Sequence, residues 1–487
     1  MHPELPILPA DPAAETGDIS PEEFRRYGHE VVDWIAEYLG GVGELPVLAQ
    51  VRPGEVAASL PSAPPMAPEG LDTILGDFRD IVVPGTTHWN HPSFFAYFSI
   101  TGSGPGILGE MLSAALNVNA MLWRTGPAAT ELEERTLDWL RQMVGLPAGF
   151  HGTIQDTASI STLIAIAAAR EAAGLGVRET GLSGLPPLRV YCSEEAHSSV
   201  EKAGITLGIG RAGTRKITTD AEFRMDPAAL DAAIREDFAA GLRPFCVVAS
   251  VGSTSTSSVD PVPAIAEVCE RHGLWLHVDA AYGGSAAVVP ELRGVMAGTE
   301  RADSIVINPH KWLFVPIDCS VLYFRRPEIV KRAFSLVPEY LATPEGESVT
   351  NLMDFGPALG KRFRALKLWM TLRRFGSDGM AARIREHVRL ARGFAAWVDA
   401  EPGWERMAPT PMSLVVFRHA PEGMDDEAAN SHNERLMAMV NETGETLISH
   451  TRLRGRVALR LAVGNLKTTE AHVARAWELL KRAAAES

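Results

Sequence analysis

Lys311 stands in the run NPHKWL at 308–313, just past the apolar stretch ADSIVI at 302–307. An ammonium group beside a buried strand is costly unless it is paired or chemically used. Lys311 is therefore a candidate nucleophile rather than a solvated charge. Asp279, 32 residues earlier, lies at the end of another apolar run, in HVDAAYGG. A third site is the turn QDTAS at 155–159, ahead of a helical stretch beginning near Ile160. Its small polar residues offer backbone N–H groups and hydroxyls to a phosphate at a helix N-terminus. Singly, these features read as an ion-pair lysine, a helix cap and a common turn. Together they meet three requirements of pyridoxal 5'-phosphate (PLP): a lysine to hold the aldehyde as a Schiff base, an acid to keep the ring nitrogen protonated, and a phosphate cup.

The elements that must position these residues are legible from about residue 86 onward. LRVYCS (188–193), PFCVVASVG (244–252), LWLHVDAAY (274–282), DSIVIN (303–308) and CSVLYF (319–324) read as buried strands. Helical stretches such as ISTLIAIAAAREAAG, DPAALDAAIREDFAAG and PVPAIAEVCERHG lie between them. This alternation predicts a mostly parallel sheet covered by helices, an α/β fold whose ligands gather beyond the carboxyl ends of the strands. Asp279 and Lys311 both fall at such ends. Upstream, PEEFRRYGHEVVDWIAEYL carries apolar residues at helical spacing, and Ser20 with Glu23 forms a capping box ahead of it. RPGEVAASLPSAPPMAPEG at 52–70 is too rich in proline for a helix and reads as an extended strap. A second helix follows near LDTILGDFRDIV. After FRALKLWMTLRRFG (363–376) the pattern runs helix, strand, strand, helix, a small α+β domain. The expected division is an N-terminal helical segment (1–85), a large domain (86–376) and a small C-terminal domain (377–487).

The chain's 487 residues suffice for two or three domains, and 46% hydrophobic with 22% charged residues is an ordinary globular composition. A net charge of −14 argues against nucleic acid or an anionic membrane as partner. The N-terminal MHPELPILPADPAAETGD lacks the basic region and apolar core of a signal peptide. No run approaches the ~18 apolar residues of a membrane span. Cys192, Cys246, Cys269 and Cys319 lack CxxC spacing, so they indicate neither a zinc site nor a disulfide framework and suit a reducing cytoplasm. GPGILG at 104–109, after the strand-like FFAYFSI, matches a dinucleotide fingerprint. The acid expected about 20 residues on, near Glu131, falls in a helical stretch, so the match is rejected. His88 and His91 in HWNH read as loop histidines rather than a metal pair, and ELEER reads as a solvated helix face.

THWNHPSFFAYF, PAATELE, AHSSVEKAG, WLHVDAAYGGSA, NPHKWL and LGKRFRALKLW together carry a family likeness. The chain resembles the PLP-dependent group II amino-acid decarboxylases, most closely the aromatic-L-amino-acid decarboxylases, over nearly its whole length. The resemblance implies a fold-type I (aspartate aminotransferase-like) large domain and a homodimer with shared active sites, for which the amphipathic N-terminal helices of 1–85 are expected to serve as a swapped dimerisation segment. It implies that Lys311 binds PLP, that Asp279 pairs with the ring nitrogen and that His197 stacks on the ring. Ala158, Ser159 and Asn308 are expected at the phosphate, Thr254 near the cofactor and His310 beside the Schiff base. Tyr340 in LVPEYL matches the catalytic tyrosine that protonates Cα; related aldehyde synthases usually carry phenylalanine there. Trp89, Tyr97 and Phe98 match aromatic pocket positions, and Gly360 matches one where glycine makes room for an indole. Ile100, Asn119 and Met121 depart from the animal enzymes, which carry threonine at the first and apolar or aromatic residues at the others. Tryptophan, phenylalanine, tyrosine and DOPA all stay open as substrates, and no metal is implied.

Overall fold

The alternating apolar runs form a seven-stranded sheet in the computed structural model, which describes residues 17–486. Its strands are β1 (His151–Gln155), β2 (Leu188–Ser193), β3 (Thr214–Ile217), β4 (Arg243–Ser250), β5 (Trp275–Asp279), β6 (Ser304–Ile307) and β7 (Ser320–Phe324). Their order is β1-β7-β6-β5-β4-β2-β3. Every neighbouring pair is parallel except those made by β7, which runs against both β6 and β1. Between β6 and β7 lies only one short helix, Pro309–Trp312, too little for the crossover a parallel return needs. β4, β6 and β7 are almost wholly buried, which accounts for their unbroken apolar runs. Helix Ala158–Ala172 packs across β4 to β7 and starts where β1 ends. The stretch read for signal-peptide character lies largely outside the described residues, and no described helix is long and apolar enough to cross a membrane.

Residues 17–45 with 49–86 form one compact unit, and 46–48 with 87–486 another. In the first, helix Pro21–Gly41 begins as its sequence predicts. Ser20 Oγ accepts from the Glu23 amide at 3.2 Å, and Glu23 returns a carboxylate to the Ser20 amide at 3.1 Å. The proline-rich stretch differs from expectation. Glu55–Ser59 forms a short helix after Gly54, whose φ of 95° turns the chain into it. Proline does not recur until position 61, which leaves room for one turn.

In the second unit, helix Ala365–Ala400 breaks at Gly376 (φ 64°, ψ 173°). Beyond it a four-stranded antiparallel sheet is ordered β10-β11-β9-β8 from β8 (Trp404–Arg406), β9 (Leu414–His419), β10 (Ser449–Leu453) and β11 (Arg456–Ala462). Helices Asp426–Glu442 and Glu470–Glu486 accompany it. The expected helix, strand, strand, helix thus falls short by a polar helix and two strands.

Two further local expectations change, those for FFAYFSI and ELEER, and the rejected GPGILG takes a packing role. FFAYFSI is not a strand. Tyr97 has a left-handed φ of 53° that breaks the pleat, while Phe95 is tied to Leu447 and Ala462 at the small sheet. GPGILG opens helix Gly104–Leu116, and its glycines serve packing: a Cβ at Gly106 would lie 2.3 Å from Pro316, and one at Gly109 2.6 Å from Lys367. Within ELEER, Glu133 is buried, accepting from the Ile154 amide at 2.8 Å and the Thr153 hydroxyl at 3.4 Å.

Burial also sets a pH dependence. His151, His277, His310 and His387 are pushed down to about 4, chiefly by desolvation. Between pH 4 and 6.5 they stay neutral when folded but take up protons when unfolded, so stability falls as the pH drops through that window. Each contributes up to about 1.4 kcal/mol per pH unit. Asp260, raised by burial to about 6, and Glu133, also raised, act in the opposite sense. The expected net result is a lower urea midpoint at pH 5 than at pH 7. A midpoint that rises on acidification would contradict the histidine assignment.

Candidate active site

Asp279 ends β5, in register with Ser250 of β4 and Val306 of β6. The two strand exits stay tied beyond the sheet: the Ala280 amide donates to Val306 O at 3.0 Å, and the Asn308 amide to Ala281 O at 3.0 Å. The single turn Pro309–Trp312 then carries Lys311 on the exit beside that of Asp279. Among the described residues the Lys311 ammonium has no hydrogen-bond or ion-pair partner. Burial lowers its pKa, and the Asp279 charge opposes that shift. Such a lysine gives up its proton readily, as an amine that must bond to an aldehyde requires.

An aromatic stack backs the lysine. Lys311 Nζ lies 5.5 Å from the Phe98 ring centroid. Phe98 stacks on Tyr282 at 3.8 Å, and Tyr282 on Trp312 at 4.8 Å. The Trp312 indole donates to His387 at 2.9 Å, and the Tyr282 hydroxyl pairs with Ser413 at 2.5 Å. Trp89 and Tyr97 stack nearby in sequence at 5.7 Å, and Ile100 is half-buried.

His197 precedes helix Ser199–Thr206, and its Nδ1 accepts from the Ser199 amide at 3.2 Å. The ring proton therefore sits on Nε2. Burial lowers the His197 pKa, Asp279 raises it and Lys311 lowers it, so the ring lies within electrostatic reach of both. His310 is buried and neutral, its Nδ1 accepting from the Cys319 amide at 2.9 Å. Its Nε2 therefore carries the proton and lies 3.3 Å from the Asn308 carboxamide, whose oxygen, turned to that N–H, accepts it and leaves the NH2 free to donate.

These residues fit PLP on structural grounds. Thr157 gives helix Ala158–Ala172 no side-chain cap, which leaves the Ala158, Ser159 and Ile160 amides without an acceptor among the described residues. With the Asn308 NH2, they mark a polar site of hydrogen-bond donors, and uncapped amides at a helix N-terminus suit a phosphate. Thr254 is exposed, and its carbonyl is held by Arg460.

The other expected pocket residues make contacts among themselves. Asn119 accepts from the Lys361 amide at 3.0 Å, lies 3.5 Å from the Met121 sulfur, and would be 3.9 Å from a Cβ at Gly360. Met121 packs with Leu122, Met353 and Leu341, the residue after Tyr340. No hydrogen bond or ring contact among the described residues joins this group to Trp89, Tyr97, Phe98 or Lys311. Tyr340 is 76% exposed on a short turn, Glu339–Leu341. Lys361 reaches instead toward the phosphate turn, donating to Gln155 at 3.0 Å.

Arg460 escaped the sequence reading, although a cation inside the apolar run RVALRLA was a signal. Buried and lowered by desolvation to about 10, it has no carboxylate partner among the described residues. It donates to Thr254 O at 2.7 Å, Ser255 O at 3.3 Å, Tyr97 O at 3.4 Å and Ser449 Oγ at 2.8 Å, and lies 5.5 Å from the Phe98 ring. It staples the Phe98 loop, the Thr254 turn and the small sheet. Arg460→Met is expected to lower stability by roughly 3 kcal/mol or more, because it leaves these acceptors unpaired. Lysine cannot reproduce the fork, so Arg460→Lys should rescue little. Urea unfolding of both variants measures this.

Residues 53–420 match the model of the pyridoxal-dependent decarboxylase conserved domain. The chain is 41% identical over 473 residues to phenylacetaldehyde synthase of Arabidopsis thaliana, covering 95% of this chain and 96% of that one. It is 40% identical over 477 residues to tyrosine decarboxylase 4 of Petroselinum crispum, covering 95% and 93%. The crystal structure of Oryza sativa TDC with PLP and tryptamine superposes with a TM-score of 0.93 at 39% identity, covering 96% and 99%.

Proposed function

The chain belongs to the pyridoxal-dependent decarboxylase family, a PLP enzyme family, and we propose that it converts aromatic L-amino acids (tryptophan, phenylalanine, tyrosine or DOPA) to arylalkylamines and CO2. The observation that carries this reading is the unpartnered Lys311 amine beside Asp279, walled by Phe98 with the Trp89–Tyr97 pair on the same loop. Flat apolar walls suit an aromatic side chain. Relatives named for tyrosine and for TDC with tryptamine support the same class.

When bound, PLP supplies the electron sink for the bond between Cα and the carboxylate. Lys311 is the residue for its aldehyde carbon, and Asp279 keeps a proton on the ring nitrogen. The Ala158, Ser159 and Ile160 amides, with Asn308, hold the phosphate. His197 belongs to the ring face, with its proton on Nε2. His310, neutral and fixed by Cys319, orients Asn308. Arg460 holds Thr254 and the Phe98 loop in place. The aromatic wall keeps water from Cα. Tyr340 donates the proton that Cα needs after CO2 leaves.

The second reading, an aromatic aldehyde synthase, has support in the phenylacetaldehyde synthase relative. It differs in the fate of Cα, and Tyr340 favours the amine. The test offers purified protein and PLP the L-isomers of tryptophan, phenylalanine, tyrosine, DOPA and glutamate, with products resolved by mass spectrometry. Amine from an aromatic acid supports the reading. Aldehyde with peroxide establishes the synthase, and turnover of glutamate alone overturns both.

The chain forms a homodimer with shared sites, in which Asn119, Met121, Gly360 and Tyr340 of one copy complete the site of the other. The exposed stripe Leu108, Met111, Leu112 and Leu116 on one helix gives such a dimer an apolar face. A stable, fully active monomer in light scattering would defeat this. Four free, buried cysteines fit a cytoplasmic enzyme, and the break at Gly376 fits a domain boundary at 376/377.

A further inference from the structure

A second cavity opens at the other end of the large sheet. It has a volume of about 420 Å³, within the range of small-molecule sites, and lies where β4 and β5 begin and β7 ends. It is lined by Trp275, at the opposite end of β5 from Asp279, about 13 Å away along the strand. Four guanidinium groups line it, those of Arg243, Arg301, Arg325 and Arg326, against two carboxylates, Glu270 and Asp303.

Both carboxylates are saturated. Glu270 takes Arg301 on both oxygens, at 2.9 and 2.5 Å. Asp303 accepts from Arg326 at 2.7 Å on one oxygen and from the Leu276 amide at 2.9 Å on the other. His272, also in the wall, is paired with Asp231 at 2.8 Å. Arg243 and Arg325 are left over. Neither has an ion-pair partner within 4 Å among the described residues; Arg325 lies over the Phe150 ring at 5.4 Å and stands within electrostatic reach of Glu270 and Asp303, whose own oxygens are taken by Arg301 and Arg326. The Arg243 Nε is buried with no hydrogen-bond partner. An orphaned buried donor on a charged group is destabilising, and an oxyanion is the ligand that satisfies a guanidinium fork.

We propose that Arg243 and Arg325 form a phosphate-binding site in this cavity for a small phosphomonoester, separate from the cofactor site. The cavity extends past the two arginines to Ala172, Ala173 and Phe238, an apolar strip that takes the organic body of the ester.

Holoenzyme, with the turn at 155–159 already filled by cofactor, is titrated by calorimetry with inorganic phosphate and with phenyl phosphate at ionic strength held constant by chloride. The titrations are repeated on Arg243→Gln and Arg325→Gln. One saturable site is expected, tighter for phenyl phosphate and weakened at least tenfold in either variant, while bound PLP and turnover stay at wild-type levels. Arg325 is exposed, so its variant folds even if Arg243→Gln does not; Arg243→Lys, which keeps the charge and loses the fork, then stands in for the latter. No saturable heat at either anion overturns the site. Binding that both variants leave unchanged places the anion elsewhere and also overturns it. Binding of inorganic phosphate with exclusion of phenyl phosphate overturns the ester assignment.

Discussion

Lys311→Ala is expected to lower turnover by at least ~10⁴-fold, the order seen when an enzyme loses its covalent nucleophile. The folded chain should not suffer. The Lys311 ammonium is desolvated and has no hydrogen-bond or ion-pair partner among the described residues, so removing it relieves the cost of that desolvation and gives up only its weaker attraction to the Phe98 ring and the Asp279 charge. Thermal unfolding of the cofactor-free protein should therefore be unchanged or slightly raised by Lys311→Met, which fills the same volume. Borohydride treatment of the wild-type holoenzyme, followed by peptide mass spectrometry, should add the cofactor mass to the peptide containing NPHKWL and to no other. A labelled peptide elsewhere, or a Lys311→Ala enzyme with substantial turnover, would remove Lys311 from the centre of the site.

Tyr340→Phe should change what is made more than whether the substrate reacts. Loss of the phenol removes the proton donor, a contribution of roughly 10²–10⁴-fold in amine formation. With oxygen present, the same substrate should then be converted to aldehyde, CO2, ammonia and hydrogen peroxide, with one O2 and one water consumed per turnover. Amine and aldehyde are counted together with oxygen uptake. Because Tyr340 is 76% exposed, stability should shift by no more than about 0.5 kcal/mol. Amine formed by the variant at the wild-type rate would assign the proton to another group. His197, whose Nε2 carries a hydrogen, is the next to replace.

The fold was legible where burial wrote itself into composition. β2, β4, β5, β6 and β7 are buried strands in a helix-covered sheet, so their apolar runs stand out; Asp279 is the last residue of β5 and Lys311 lies four residues past the end of β6. β1, HGTIQ, and β3, TRKI, are short and carry polar residues, so neither rises above the loops around it. Helix Asp426–Glu442 is polar, and β8 has only three residues; the small domain accordingly read as simpler than it is.

Sequence alone determined that Lys311, Asp279 and the turn at 155–159 stand at the ends of elements in the right order, because strand periodicity, turn chemistry and the charge of single residues are local properties. Only the tertiary structure decided what surrounds them. Arg460 reaches Tyr97 across more than 300 residues, Glu133 turns inward to β1, and Phe98, Tyr282 and Trp312 stack from three separate segments. It also joined Asn119 to Lys361 and Met121 to Leu341 beside Tyr340, and left Arg243 without an ion-pair partner among the described residues. Each is a contact between residues far apart in the chain. Whether a buried charge is paired depends on which distant group packing brings to it, and no pattern in neighbouring residues encodes that.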